Sequence, residues 1–136
     1  MADIADLVRP VGWWVKEAEA ALNDAFERAL QCSGVSRREW QLLTTVHRSP
    51  IPRADAVEAL TSFDTGFLVD AVVTGLELRD WVVEQEGRLQ LTQQGVAAHM
   101  SLLPLIDGVR RQVSQALPPS DYRTLIELLA RLVDGL

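Results

Sequence analysis

The chain has 136 residues, 48% of them apolar and 24% charged, which is the balance of a soluble globular domain and the length of a single one. One cysteine, Cys32, excludes an intrachain disulfide, and Asp3 and Asp6 stand where a leader would carry basic residues, so a cytoplasmic protein is expected. Charges interrupt every apolar stretch well short of the ~20 residues needed to cross a bilayer, so no membrane contact is expected. The net charge of −6 is unevenly placed: residues 1–52 hold six basic and seven acidic side chains, residues 53–92 three and eight, and residues 93–136 four of each. A segment that grips nucleic acid normally shows the opposite bias, because lysine and arginine on phosphate supply most of its affinity.

Pro10 suits the first turn of a helix, and Val11, Trp14, Val15, Ala18, Leu22, Ala25, Phe26 and Leu30 then recur at helical steps until Gly34 ends the element. Ser36 and Glu39 have the spacing of a capping box, which opens a second helix that buries Trp40, Leu43 and Val46 and stops before Ser49-Pro50. Pro52 starts a short third helix reaching Leu60. A fourth, over residues 65–79, sets Val69, Val72, Val73 and Leu76 on one face. Residues 81–85 and 88–91 read as two strands joined at Glu86-Gly87, a dipeptide suited to the positive φ of a tight hairpin. Thr92 caps a long helix to about Ala116, with Pro104 as an expected kink. Pro118-Pro119 begins a last helix carrying Leu125, Ile126, Leu128, Leu129, Leu132 and Val133.

This order predicts a mainly α fold with a small β-hairpin wing. A winged helix-turn-helix lobe at 34–92 lies between dimerisation helices at 1–33 and 93–136, all within one domain, 1–136. Leu102, Leu103, Leu105, Ile106, Val109 and Val113, with the leucines of the last helix, offer more apolar surface than so small a core can cover, so a homodimer is expected.

The chain resembles the MarR family along nearly its whole length. The likeness is carried by GVSRREWQLLTTV at 34–46, PRADAVEAL at 52–60, LELRDWVV at 76–83, LQLTQQG at 89–95 and LLPLIDGVRRQVSQALPPSDYRTLIELLARL at 102–132. The resemblance implies a dimeric, cytoplasmic transcriptional regulator that binds double-stranded DNA, often with a small-molecule cleft between the dimer layer and the DNA-binding lobe. Laid over the family's recognition helix, Val69, Val72, Val73 and Leu76 match the core-facing positions. Asp70, Ala71, Thr74 and Gly75 stand where members usually show Ser or Thr, Arg, Asp and Arg, and Phe67 and Leu68 replace small or hydroxylated residues. The usual long wing with its Asp-Arg-Arg stretch shrinks to Glu86-Gly87, leaving Arg88 as its one base. Arg79 resembles an arginine that supports structure at the helix end.

The overlay makes Arg37, Arg53, Thr65, Phe67, Asp70, Ala71, Thr74 and Arg88 the candidate DNA-contacting residues. Trp14, Trp40 and His47 are the candidate walls of a cleft for a small aromatic or acidic ligand. The tryptophans read more readily as core or dimer interface, and His47 as a helix cap. No catalytic residue, cofactor or metal site is expected: His99 lies far from His47 in sequence, neither has a second ligand at i+3 or i+4, and no phosphate loop, nucleophile elbow or H-E-x-x-H occurs. Two functions stay open, a DNA-binding regulator of weak intrinsic affinity and a degenerate relative acting through a protein partner.

Overall fold

The computed structural model describes residues 8–136; Asp3 and Asp6 lie outside them. Helix α1 spans Val11–Leu30 and runs into a 3-10 turn, Gln31–Ser33. The Ser33 hydroxyl donates to the Leu30 carbonyl at 2.6 Å, and Gly34 takes the left-handed conformation, φ 72°, that turns the chain away. Helix α2, Arg37–Arg48, begins with the expected capping box: the Ser36 hydroxyl accepts from the Glu39 N–H at 3.1 Å while the Glu39 carboxylate accepts from the Ser36 N–H at 3.0 Å. Helix α3 is short, Arg53–Glu58, and α4 runs Gly66–Leu78 behind Thr65, whose hydroxyl accepts from the Leu68 N–H at 3.4 Å.

Strands β1, Val82–Gln85, and β2, Arg88–Leu91, pair antiparallel with Val82 opposite Leu91 and Gln85 opposite Arg88. Glu86 and Gly87 both have positive φ, 54° and 74°, the pattern of a two-residue primed turn whose twist matches the strands. Ile51 exchanges two backbone hydrogen bonds with Leu89, at 3.2 and 2.7 Å, so the loop before α3 anchors the wing on its second edge.

Helix α5, Gln93–Ala116, is capped by the Thr92 hydroxyl, which accepts from the Gly95 N–H at 3.0 Å, and α6 follows as Pro119–Gly135. Gly95 is required for close approach: a Cβ there would lie 2.0 Å from the Trp81 carbonyl oxygen. The buried positions of α5 are Gly95, His99, Leu102, Ile106 and Val109, spaced four, three, four and three apart, one stripe of the helix. That stripe meets α1 and α2, and the core continues through Leu42, Leu43, Val46, Ala56, Val69, Val73, Leu76, Val82 and Leu89.

One expectation needs correction. Leu102, Ile106 and Val109 are covered inside the subunit, because α5 packs along α1, and are not spare surface for a partner. The surplus lies elsewhere. Helix α6 has no buried residue, and Leu125, Ile126, Leu128 and Val133 are all exposed although the helix is strongly amphipathic. No helix among the described residues is long and apolar enough to cross a membrane.

Candidate nucleic-acid interface

Helices α2 and α3 bring α4 to the surface with the hairpin beside it. Its inner face is Val69, Val73 and Leu76, all buried. Its outermost positions are Phe67, Ala71, Thr74 and Leu78, one helical stripe, with Phe67 83% and Leu78 84% exposed. Three of these four are apolar and none is cationic.

Beside that stripe runs a polar one, Asp70, Thr74 and Glu77 at steps of four and three, and it faces Arg53 at the start of α3. The Arg53 Nε donates to Asp70 Oδ1 at 2.7 Å and Nη1 to Glu77 Oε1 at 2.6 Å. Nη2 donates to Thr74 Oγ1 at 2.8 Å and to the Asp70 carbonyl at 3.3 Å. All three guanidinium nitrogens are therefore engaged, and one cation sits between two carboxylates. The hydrogen bond donated to Asp70, then that donated to Glu77, raises the Arg53 pKa above its already high ordinary value, so the side chain stays charged.

The remaining arginines of the lobe are mostly turned inward. Arg37, expected to meet phosphate, is 7% exposed: its guanidinium donates to Glu19 of α1 at 2.8 Å and lies over the Phe26 ring. The reason is positional, since the first turn of α2 packs against α1, where Glu27 also accepts from the Arg37 N–H at 3.1 Å. Arg38 lies over Phe63 and 3.7 Å from Asp64. Arg79 donates to the Gly34 carbonyl at 2.8 Å, approaches Glu39 at 3.3 Å and covers the Trp81 ring, which locks the end of α4 to the start of α2. Arg48 is exposed at the end of α2, and Arg88 reaches from the wing to the Pro50 carbonyl at 3.4 Å. Thr65 is spent as the cap of α4.

The ligand candidates separate. Trp40 and His47 belong to a column of rings that neither forms without His99, a residue sequence reasoning set aside. The His99 ring stacks on Trp40 at 4.8 Å and 13°, and on His47 at 3.9 Å and 11°. His99 is 4% exposed; its Nε2 lies 3.4 Å from Thr44 Oγ1 and its Nδ1 is buried without a hydrogen bond. Desolvation first, then the His47 and Arg110 charges, lower its pKa, so it is held neutral. His47 opens onto a cleft of about 310 Å³ lined also by Val46, Pro50, Gln90, Leu91 and Val96, between α2, the wing and α5. Trp14 is not in the column: it pairs edge-on with Trp13 at 4.7 Å on the half-exposed side of α1.

Solved structures share this arrangement of helices and hairpin. A probable transcriptional regulator from Pseudomonas aeruginosa matches at 25% identity and TM-score 0.76, over 93% of this chain and 98% of that one. A MarR family protein of Mycobacterium tuberculosis, solved in complex with DNA, matches at 21% identity and TM-score 0.73, over 91% and 98%. The transcriptional repressor CouR, bound to p-coumaroyl-CoA, matches at 16% identity and TM-score 0.80 over 100% of both chains. The protein has the MarR winged-helix fold. No family model and no curated protein matches the sequence. Within the MarR fold, α4 occupies the place of the recognition helix and the Glu86-Gly87 hairpin that of the wing, and α1, α5 and α6 form the helical layer outside the lobe.

Proposed function

We propose that the chain is one subunit of a homodimeric transcriptional regulator. It holds double-stranded DNA weakly through α4 and the wing and is modulated by a small aromatic or acidic ligand. The observation that carries the reading is the exposed α4 framed by α2, α3 and a paired hairpin, in the same arrangement as a chain solved on DNA. Weakness follows from charge. Between residues 34 and 92 there are six arginines against nine carboxylates, and Arg37, Arg38, Arg53 and Arg79 already form ion pairs within the subunit. Homodimerisation is supported by α6, most of whose apolar stripe is exposed among the described residues. Ligand binding is supported by the cleft beside His47, whose imidazole offers a partner for an acidic group next to apolar Val46, Leu91 and Val96. An anisotropy titration of DNA from upstream of its own gene checks this reading: binding at ~50 mM salt that falls to micromolar or weaker at ~150 mM is expected, and no binding at the lower salt contradicts it.

The apolar outer stripe of Phe67, Ala71 and Leu78 favours a second reading, in which α4 meets a protein partner and regulates by contact, as an inhibitor or heterodimer partner of another regulator. That reading gains if the wild type ignores DNA at low salt and Phe67→Ser abolishes a defined complex without changing the dimer.

A further inference from the structure

We propose that Arg53 is a phosphate-binding side chain held in reserve by Asp70 and Glu77, so that Arg53 reaches the nucleic-acid backbone only by exchanging a carboxylate of α4 for a phosphate. The inference rests on the reading of α4 as a DNA-facing helix and adds how its affinity is set.

The geometry carries it. The three acceptors come from one helix at steps of four and three, Asp70, Thr74 and Glu77, and the guanidinium is supplied by the preceding helix, so the cluster bridges the two elements on the exposed side of the lobe. Carboxylate and phosphate present the same chemistry to a guanidinium, an anionic pair of oxygens that accepts a fork of N–H bonds. A phosphate arriving at Arg53 therefore competes with groups that are already in place and pre-oriented. It also meets a cluster of net charge −1, two carboxylates on one guanidinium, so approach is repelled until one of them moves aside. Asp70 is the member better placed to yield. Its side chain is 53% exposed, against 32% for Glu77, so it can swing into water while Glu77 and the Thr74 hydroxyl keep Arg53 in position. The Asp70 carboxylate also stands at the edge of the outer stripe, where a backbone phosphate would lie if α4 entered a groove.

The consequence is specific to charge, not to shape. Asp70→Asn keeps size and a hydrogen-bond acceptor while removing the anion that competes for Arg53. In a dimer it removes one of the two competing carboxylates at each Arg53, and with them two negative charges.

The test is anisotropy with a labelled duplex of roughly three helical turns, at ~50 and ~150 mM salt, for wild type, Asp70→Asn, Arg53→Gln and the double variant. Asp70→Asn is expected to bind at least fivefold more tightly than wild type at ~50 mM salt, with a salt slope steeper by about two, since each phosphate contact contributes roughly −0.9. Arg53→Gln in the Asp70→Asn background is expected to remove that gain. Thermal melting of each variant confirms that it is folded. Wild type that binds while Asp70→Asn binds no better overturns the reserve and leaves the DNA reading standing. Failure of all four folded proteins to bind at ~50 mM salt overturns both. A gain in Asp70→Asn that survives Arg53→Gln also overturns the proposal, because relief of repulsion alone would then suffice.

Discussion

The imidazole rings of His47 and His99 lie 3.9 Å apart and within 11° of parallel, although 52 residues separate them. His99 is the inner member, closed on its other side by Trp40, and its Nδ1 has no hydrogen bond. A buried, neutral histidine with a lowered pKa binds fewer protons folded than unfolded, so its contribution to stability is present above the ordinary histidine value near 6.5 and is lost as pH falls below it. Urea unfolding at pH ~7.5 and ~5.5 should show a clear fall in midpoint for wild type, and a smaller fall for His99→Phe, which keeps the stack without the titration. Equal midpoints at the two pH values for wild type would contradict this.

Gly95→Ala tests the joint between the wing and α5. Its Cβ would lie 2.0 Å from the Trp81 carbonyl, which also accepts from the Thr92 N–H at 3.0 Å, so relief requires the chain before α5 to shift. Backbone overpacking of this kind costs about 3 kcal/mol, and a drop in melting temperature on the order of 10 °C is expected by calorimetry. A variant that melts with wild type would show that the approach is looser than described.

Helix α6 tests the dimer. Light scattering at micromolar concentration should give twice the 15.1 kDa mass of the chain. Leu129→Asp, which would place a charge on the half-buried side of the stripe, should return it to the single-chain mass or unfold it, since an unpaired charge in a desolvated interface costs several kcal/mol. A wild type of single-chain mass would sink the dimer outright.

Ala71→Arg places a cation on the outer stripe of α4 and leaves Arg53, Asp70, Thr74 and Glu77 themselves unchanged. If α4 faces a major groove, affinity for mixed-sequence duplex should rise several-fold at ~100 mM salt, with a steeper salt slope. No change would count for the second reading, in which that stripe meets protein.

How much of this was legible in the sequence follows the range of the interactions. The Ser36-Glu39 box, the Thr92 cap and the Glu86-Gly87 turn are set by neighbours within three residues, and each is found where it was expected, while Thr65, expected as the first residue of its helix, is its cap. The polar steps 70, 74 and 77 were equally readable, but not that they turn toward Arg53, because that partner arrives through the packing of α3 on α4. Arg37 was misjudged for the same reason: its partner, Glu19, is on another helix. His99 carried a signal that was missed. It occupies a core position of the Gly95, Leu102, Ile106 and Val109 stripe, and a histidine at such a position needs a packing partner that only the fold supplies.

The lobe proposed to meet DNA keeps most of its cations for itself. The slope of log affinity against log salt for the wild-type dimer measures this directly. With only Arg48 and Arg88 of each lobe clear of ion pairs among the described residues, roughly four phosphate contacts per dimer are expected, a slope of about −3.6, with micromolar or weaker binding at ~150 mM salt. A slope steeper than about −7 with nanomolar binding at that salt would contradict the account, for it would require the paired arginines to be on phosphate as well.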